Sequence, residues 1–303
     1  MQWGRHTSAP LRRSGRIMKR VFKAISEGRE RLKNLQRWLA DEQIQPESKE
    51  GLKGCLWIAE NAASLHAAYH HYTTCEAFCK IFRSETERSI RLSRLASARL
   101  NDGNECDKYS MPKTAQHTFV CCFNHEGAES ANLWYLYAKG SPRAMRITFP
   151  AKEFAEWVTD LRKQGVLVTD VVYAAVRGGR DDYPQDRQNT LCWEDVKVHV
   201  ENLSDLLEDE SLVGRLKDYE WRSERETRFL VRDERDERFK YLEIPTSLIK
   251  KLRITMSPWA SDEDYDETKE CVAKTLGFWG WKPTTTTFRS SVLTHAMESL
   301  RQK

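Results

Sequence analysis

The sequence predicts an α+β protein with a helical N-terminal extension. Three observations carry that expectation. Runs of β-branched and aromatic residues come in clusters, without the regular strand–helix–strand rhythm of a parallel sheet. Helical spacing of apolar residues dominates the first part of the chain. Of the 303 residues, 40% are hydrophobic, and 10 Trp, 10 Tyr and 11 Phe are enough to fill a core.

The elements follow in order. Ile17, Val21, Ile25, Leu32, Leu35 and Leu39 recur at three- and four-residue steps with one wider gap, so residues 17–39 read as an amphipathic helix, weakened at Gly28. Pro46, Gly51 and Gly54 mark 43–54 as a connector, and a second helix is expected over 56–67. Residues 1–67 thus form the extension and 68–303 the main domain.

In that domain, 69–73 is a short strand, followed by a helix over 75–83 capped by Thr73 or Thr74. Residues 90–93 alternate like a strand, and 101–104 form a turn cluster. A buried strand is expected over 117–123. Ser130 caps a helix carrying Leu133, Trp134 and Tyr137, and Pro150 stops a strand over 145–149. A helix over 154–161 precedes a β run over 166–176, and an amphipathic helix covers 203–216. Strands are expected at 239–244 and 252–256. A helix over 262–276 has an acidic first turn that suits its dipole. A last strand at 284–288 and a helix at 291–300 close the chain.

Composition excludes several classes. No apolar run approaches the roughly 18 residues a membrane span needs, and residues 1–20 are basic without an apolar segment, unlike a secretory signal. A cytoplasmic protein is expected. The eight cysteines include no C-x-x-C pair, so they read as reduced, buried small hydrophobes, and no metal is expected. Residues 1–40 carry a net +9 against −5 for the rest. Such an arm seeks nucleic-acid phosphate, or docks on its own body or on a second copy in a homo-oligomer.

Within Trp221–Arg228, the residues Glu224, Glu226 and Arg228 stand at every second position. On a strand that spacing points all three to one face, and Phe229, Leu230 and Val231 favour extended chain. Two carboxylates and a guanidinium on one face either stay solvated or form a partnered site.

Several short motifs occur in one order: His71-Tyr72-Thr73, Arg91-Leu92-Ser93, Leu100–Glu105, Val120–Phe123, Leu133-Trp134 with Tyr137, then Trp221 with Glu224, Glu226 and Arg228. Together with Tyr241–Pro245 and Phe288–Ser291 they resemble the bacterial domain of unknown function family 2971, from about Tyr69 to Ser291. Many members have Pro where this chain has Gly103, and the doublet His70-His71 leaves two histidines to align. The opening of that family looks like the ADP-ribosyltransferase fold, with its split β-sheet core.

The resemblance implies NAD as substrate. His71 would hold the ribose with Tyr72 and Thr73 beside it. Ser93 would sit near the nicotinamide, and Glu224 or Glu226 would be the catalytic acid. Tyr137 is a candidate ligand platform, or core like Trp134. Arg228 binds the diphosphate or pairs structurally with the two acids. The implied activity is ADP-ribosyl transfer to a protein or nucleic-acid acceptor, or NAD hydrolysis, as in toxin or phage-defence effectors. The alternatives are a nucleic-acid-binding protein that grips through residues 1–40, and a noncatalytic nucleotide sensor.

Overall fold

The computed structural model describes residues 49–83, 88–96, 112–175, 190–193, 196–199, 210–277 and 288–294. The basic arm with its 17–39 helix and the 101–104 turn lie outside these residues. Among the described residues no helix is long and apolar enough to cross a membrane.

Helix α1 (Lys49–Ala62) leads into strand β1 (Ala68–Thr74), helix α2 (Cys75–Ile81), β2 (Phe82–Arg83) and β3 (Ser89–Arg94). Then come α3 (Pro112–Gln116), β4 (Thr118–Asn124), α4 (Ala131–Ala138), β5 (Ala144–Pro150) and α5 (Ala151–Lys163). Strands β6 (Leu167–Asp170), β7 (Val172–Ala175), β8 (Thr190–Trp193) and β9 (Val196–His199) follow. A 3₁₀ turn at Glu210–Leu212 precedes β10 (Leu216–Asp218), a second 3₁₀ turn at Tyr219–Glu224, and β11 (Glu226–Arg232). The chain ends with β12 (Phe239–Glu243), α6 (Thr246–Ile249), β13 (Arg253–Met256), α7 (Asp262–Gly277) and β14 (Phe288–Arg289).

The mixture is α+β, as expected, and the sheet is mostly antiparallel. Its path runs β12-β3-β4-β1-β5-β13-β14, with β11 pairing β4 and β6, and β2 pairing β3. A smaller sheet orders β10-β7-β8-β9. Strands β1 and β5 pair along their whole length, from Ala68 opposite Pro150 to Thr74 opposite Ala144.

Strand β4 is different. Its full length pairs β11, from Thr118 opposite Arg232 to Asn124 opposite Glu226. Its other edge is shared: β3 takes Phe119 and Val120, and β1 takes Asn124 alone. The two halves of the main sheet therefore join through one residue pair, His70 with Asn124.

One face of this sheet is the aromatic core. Tyr69, Phe123, Phe149 and Phe229 meet Phe154 and Trp157 of α5, and the Tyr69 and Phe154 rings stack at 3.7 Å. Such pairs add about 0.5–1.5 kcal/mol each beyond area burial. The other face of β1 packs on α4 through Tyr72, Leu133 and Trp134.

Three expectations are corrected. Gly51 and Gly54 do not break the chain; they lie inside α1, which starts at Lys49. The β run at 166–176 splits at Val171, whose N–H turns to Glu226 O, so β6 and β7 enter different sheets. The 203–216 helix is not continued past 210: Gly214 has φ +80°, and a Cβ there would meet Leu230 Cδ2 at 2.9 Å. Most of the expected 291–300 helix lies outside the described residues, which end in a turn at 292–293 and a helical Thr294. Helix α1 docks on the domain: Arg215 Nη2 donates to Leu56 O at 3.1 Å and pairs with Glu60 at 2.5 Å.

Candidate functional site

The two glutamates meet, but not by the expected route. Glu224 is the last residue of a 3₁₀ turn, not a strand residue. Arg225 then takes a left-handed conformation, φ +43°, which is costly for a residue with a Cβ. That kink reverses the strand-face logic for Glu224 and starts β11 at Glu226. Lys217, from the end of β10, closes the gap: its Nζ bonds Glu224 Oε2 and lies 3.6 Å from Glu226 Oε1.

Arg228 does share the Glu226 face. Its Nε and Nη2 grip Glu226 Oε2 at 2.8 and 2.6 Å, and Nη1 donates to Gly214 O at 3.1 Å. Tyr137 reaches down from α4 and donates to Glu226 Oε1 at 3.0 Å. The Glu226 N–H donates to Tyr173 Oη, also at 3.0 Å. All four charged residues are at most 3% exposed. Two acids and two bases make the quartet electroneutral, which is the condition for burying it at all.

The two carboxyls are driven apart. Burial, then the Glu226 charge, pushes Glu224 up to about 7 despite Lys217. Its Oε1 is buried with no hydrogen-bond partner among the described residues. Burial also pushes Glu226 upward, but Arg228 and Lys217 overcome it and bring Glu226 down to about 2. At neutral pH one acid is firmly ionised and its neighbour is poised to exchange a proton.

Antiparallel partners present side chains to the same face. His70 stands opposite Asn124, and Asn124 opposite Glu226, so these three form a row on the quartet's face. Two strand spacings of about 4.8 Å separate the ends of that row. His70 Nδ1 meets Thr148 Oγ1 at 3.0 Å. Asn124 Nδ2 donates to Glu224 O.

His71 is not in this row. It shares its face with Tyr69, its ring 6.0 Å from Phe123 in the core, and its Nδ1 takes Cys122 O at 2.9 Å. That carbonyl belongs to the stretch of β4 that neither β3 nor β1 pairs, so the imidazole completes the sheet. Burial lowers its pKa. His71 therefore points away from the acids, and the doublet's other member, His70, faces them.

The remaining expected residues scatter. Tyr72 lies on the quartet's face; its hydroxyl accepts the Ser130 N–H at 3.4 Å and its ring meets Trp134 edge-on. Thr73 is buried opposite Met145 and donates to Thr74 O, and the helix cap is Thr74. Ser93 stands opposite Val120, which pairs Leu230, four residues along β11 from Glu226. That is about 13 Å at 3.3 Å per residue, too far to join the quartet. Residues 1–40, the expected nucleic-acid contact, lie outside the described residues.

Sequence reasoning missed Lys217 and Tyr173, whose roles come from long-range packing that no local spacing encodes. It also missed a second network. His66 Nε2 meets Asp170 Oδ2 at 2.7 Å, Thr227 Oγ1 donates to Asp170 Oδ1 at 2.6 Å, and His125 Nδ1 meets Thr227 Oγ1 at 3.0 Å. The two imidazoles stack with centroids 3.6 Å apart and planes 3° from parallel. Burial, then His66, drives His125 down to about 3, while Asp170 is lowered against burial by the two histidines.

Two histidines and one carboxylate with ligand atoms inside 4.8 Å are a metal-type donor set. The stack argues against a shared ion: a cation between parallel rings lies outside both ring planes, where the nitrogen lone pairs do not point. The cluster reads instead as a proton-sharing network.

A cavity of about 570 Å³ adjoins both networks. His125, Glu129, Ser130, Tyr173, Arg222 and Arg225 line it. Neither Glu224 nor Glu226 opens on it; Tyr173 stands between. Compared with known proteins, the chain matches no family model, no curated protein and no solved structure.

Proposed function

We propose that the protein consumes NAD, transferring ADP-ribose to a macromolecule or to water, with Glu226 as the electrostatic catalyst. The observation that carries this reading is the row His70–Asn124–Glu226, laid across the single-pair junction between the sheet's two halves. A split sheet with an early-strand histidine facing a late-strand acid is the arrangement the sequence resemblance implies.

The chemistry suits the charges. Loss of nicotinamide builds positive charge on the ribose, as in an oxocarbenium ion. An ionised Glu226, held at about 2, stabilises that charge. Glu224, at about 7, is matched to taking the acceptor's proton near neutral pH. His70 supplies the hydrogen bond to the ribose. Arg228 is committed to Glu226 and Gly214 O, so the diphosphate needs another cation. Arg146 is buried on the His70 face opposite Tyr72, with Nε and Nη1 unpartnered among the described residues. The substrate enters from the cavity, displacing Tyr173. Toxin or phage-defence use is the setting in which such an activity would be kept latent.

The test is nicotinamide release from NAD by the full chain, with and without protein and nucleic-acid acceptors. Glu226→Gln should lose about 100-fold or more, Glu224→Gln should lose chiefly transfer, and His70→Ala should raise KM. A folded wild type that releases no nicotinamide with any acceptor ends the enzymatic reading. The burial of both acids against Lys217 and Arg228 favours one second reading, a sensor that holds NAD or ADP-ribose without turnover. Calorimetric binding of NAD with no nicotinamide released would select it.

A further inference from the structure

The described cysteines differ in environment. Cys121 is buried as expected and Cys122 partly so; burial drives Cys121 up to about 12 and Cys122 well above its ordinary value, so both are inert thiols. Cys75, Cys79 and Cys271 correct the expectation of burial. Cys79 is exposed, and Cys75 and Cys271 are half-buried.

Cys75 and Cys79 lie one turn apart on α2, and α7 lies against that helix and brings in Cys271. The Sγ atoms of Cys79 and Cys271 are 3.0 Å apart. That is closer than ordinary sulfur contact and about 1 Å from the disulfide bond length. Cys271 Sγ also lies 3.8 Å from Cys75 O. Thr275 Oγ1, 3.6 Å from Cys79 Sγ, holds the exposed thiol toward its neighbour.

A second cavity, about 540 Å³, opens beside Cys75 and Cys271 and includes Arg143 and Glu267. The Arg143 guanidinium is tied to Glu267 at 2.8 Å and to Asp264 at 3.4 Å. The Cys75 thiol is lowered, first by the Cys271 thiol and, after an opposing burial effect, by Arg143. At Cys121 an arginine, Arg91, also lowers the thiol, but burial outweighs it.

We propose that Cys79 and Cys271 are a hydroperoxide-sensitive pair that forms a reversible disulfide between α2 and α7. The Cys79 thiolate attacks the terminal peroxide oxygen, and the O–O bond breaks. Cys79 becomes a sulfenic acid, two electrons oxidised, and the peroxide leaves as alcohol or water. Cys271 Sγ then attacks Cys79 Sγ, the S–O bond breaks, and water leaves with the Cys271 proton. The sum is two thiols and one hydroperoxide giving one disulfide, one alcohol or water, and one further water. A reducing thiol reverses it by exchange. The closed loop spans 192 residues, and the helix it anchors begins directly after β1, five residues beyond His70. This inference does not rest on the NAD reading.

The test uses the reduced full chain, stoichiometric hydrogen peroxide, alkylation and peptide mapping, with thermal melting before and after. The expected product is a monomer cross-linked Cys79 to Cys271, with Cys121 and Cys122 still alkylated. Its Tm should rise by about 5 °C or more and fall back with dithiothreitol. Cys75→Ser should keep the cross-link. Cys271→Ser should abolish it and leave a sulfenic acid at Cys79 that dimedone traps. The proposal is overturned if wild type forms no such cross-link, or if Cys121 reacts as fast as Cys79. It is equally overturned if the cross-link needs Cys75, survives Cys271→Ser, or leaves Tm unchanged.

Discussion

The two faces of β11 each bury a polar network, one residue apart in sequence, and they are built on opposite principles. The Glu226 face buries two carboxyls with two cations, one acid firmly ionised and the other raised to about 7. The Thr227 face holds one carboxylate and shares it among a hydroxyl and two stacked imidazoles. The first is stabilised by Coulomb attraction that any single deletion would unbalance. The second is stabilised by hydrogen bonds and by the two histidines, which together hold the Asp170 carboxylate ionised against burial. Burial acts on both. Within the quartet two cations bring Glu226 down to about 2, while for Glu224, one kink away, burial and the Glu226 charge outweigh Lys217 and raise it to about 7.

The comparison breaks most visibly at Arg228. Arg228→Met leaves Glu226 buried with only the more distant Lys217 as counter-charge. The expected loss is about 3–5 kcal/mol in urea unfolding. Replacing both partners, Arg228→Met with Glu226→Gln, should recover a substantial part of it. A single variant that costs under 1 kcal/mol would show that the quartet is not the charge-balanced unit described.

Proton linkage gives the next largest effect. Glu224 is raised above its ordinary value, so the stability it contributes is full below pH 4.5 and is lost as pH rises to about 7. His125 is depressed, so its contribution is full above pH 6.5 and is lost as pH falls toward 3. Between pH 4.5 and 6.5 the two slopes, each about 1.4 kcal/mol per unit, oppose one another. Glu224→Gln removes one of them. From pH 7 to 4.5 wild type should gain about 3 kcal/mol on the variant. A pH-independent difference would mean that Glu224 is ionised throughout.

Thr227→Val tests the other face with little change of shape. It removes the donor to Asp170 and the acceptor for His125. A loss of about 2 kcal/mol is expected, with the Asp170 pKa rising as one of its stabilising bonds disappears. Carbon-detected NMR titration of the carboxyl reads that rise. An unchanged Asp170 would show that His66 alone holds it ionised.

Much of this arrangement was legible in the sequence. Alternation located β1, β4, β5, β12 and β13 to within a residue or two, and Ser130 caps α4 by accepting the Leu133 N–H. Spacing also placed Arg228 correctly beside Glu226. The face of β1 was harder: adjacent histidines point opposite ways, and only the pairing of His70 with Asn124 decides between them. Glu224 defeated strand spacing because Arg225 adopts a conformation that its side chain disfavours. Lys217 could not be found at all, since its partners lie across a turn whose path depends on Gly214 and on the Arg228 bond to its carbonyl.

The smallest effect separates structure from chemistry most cleanly. Tyr137 donates one hydrogen bond to Glu226 Oε1, on the oxygen that Arg228 does not hold. Tyr137→Phe keeps the ring packed and removes that donor. The expected stability loss is about 1 kcal/mol, and Glu226 stays ionised because Arg228 still grips Oε2. If Glu226 stabilises a ribosyl cation, freeing Oε1 from Tyr137 leaves its charge less committed, and nicotinamide release should change several-fold while Tm falls by only about 2–4 °C. A strut would show the same fall in Tm with release untouched. Because Lys217 lies 3.6 Å from the same oxygen, Lys217→Met in the Tyr137→Phe background should then compound the loss of stability rather than restore the wild-type rate.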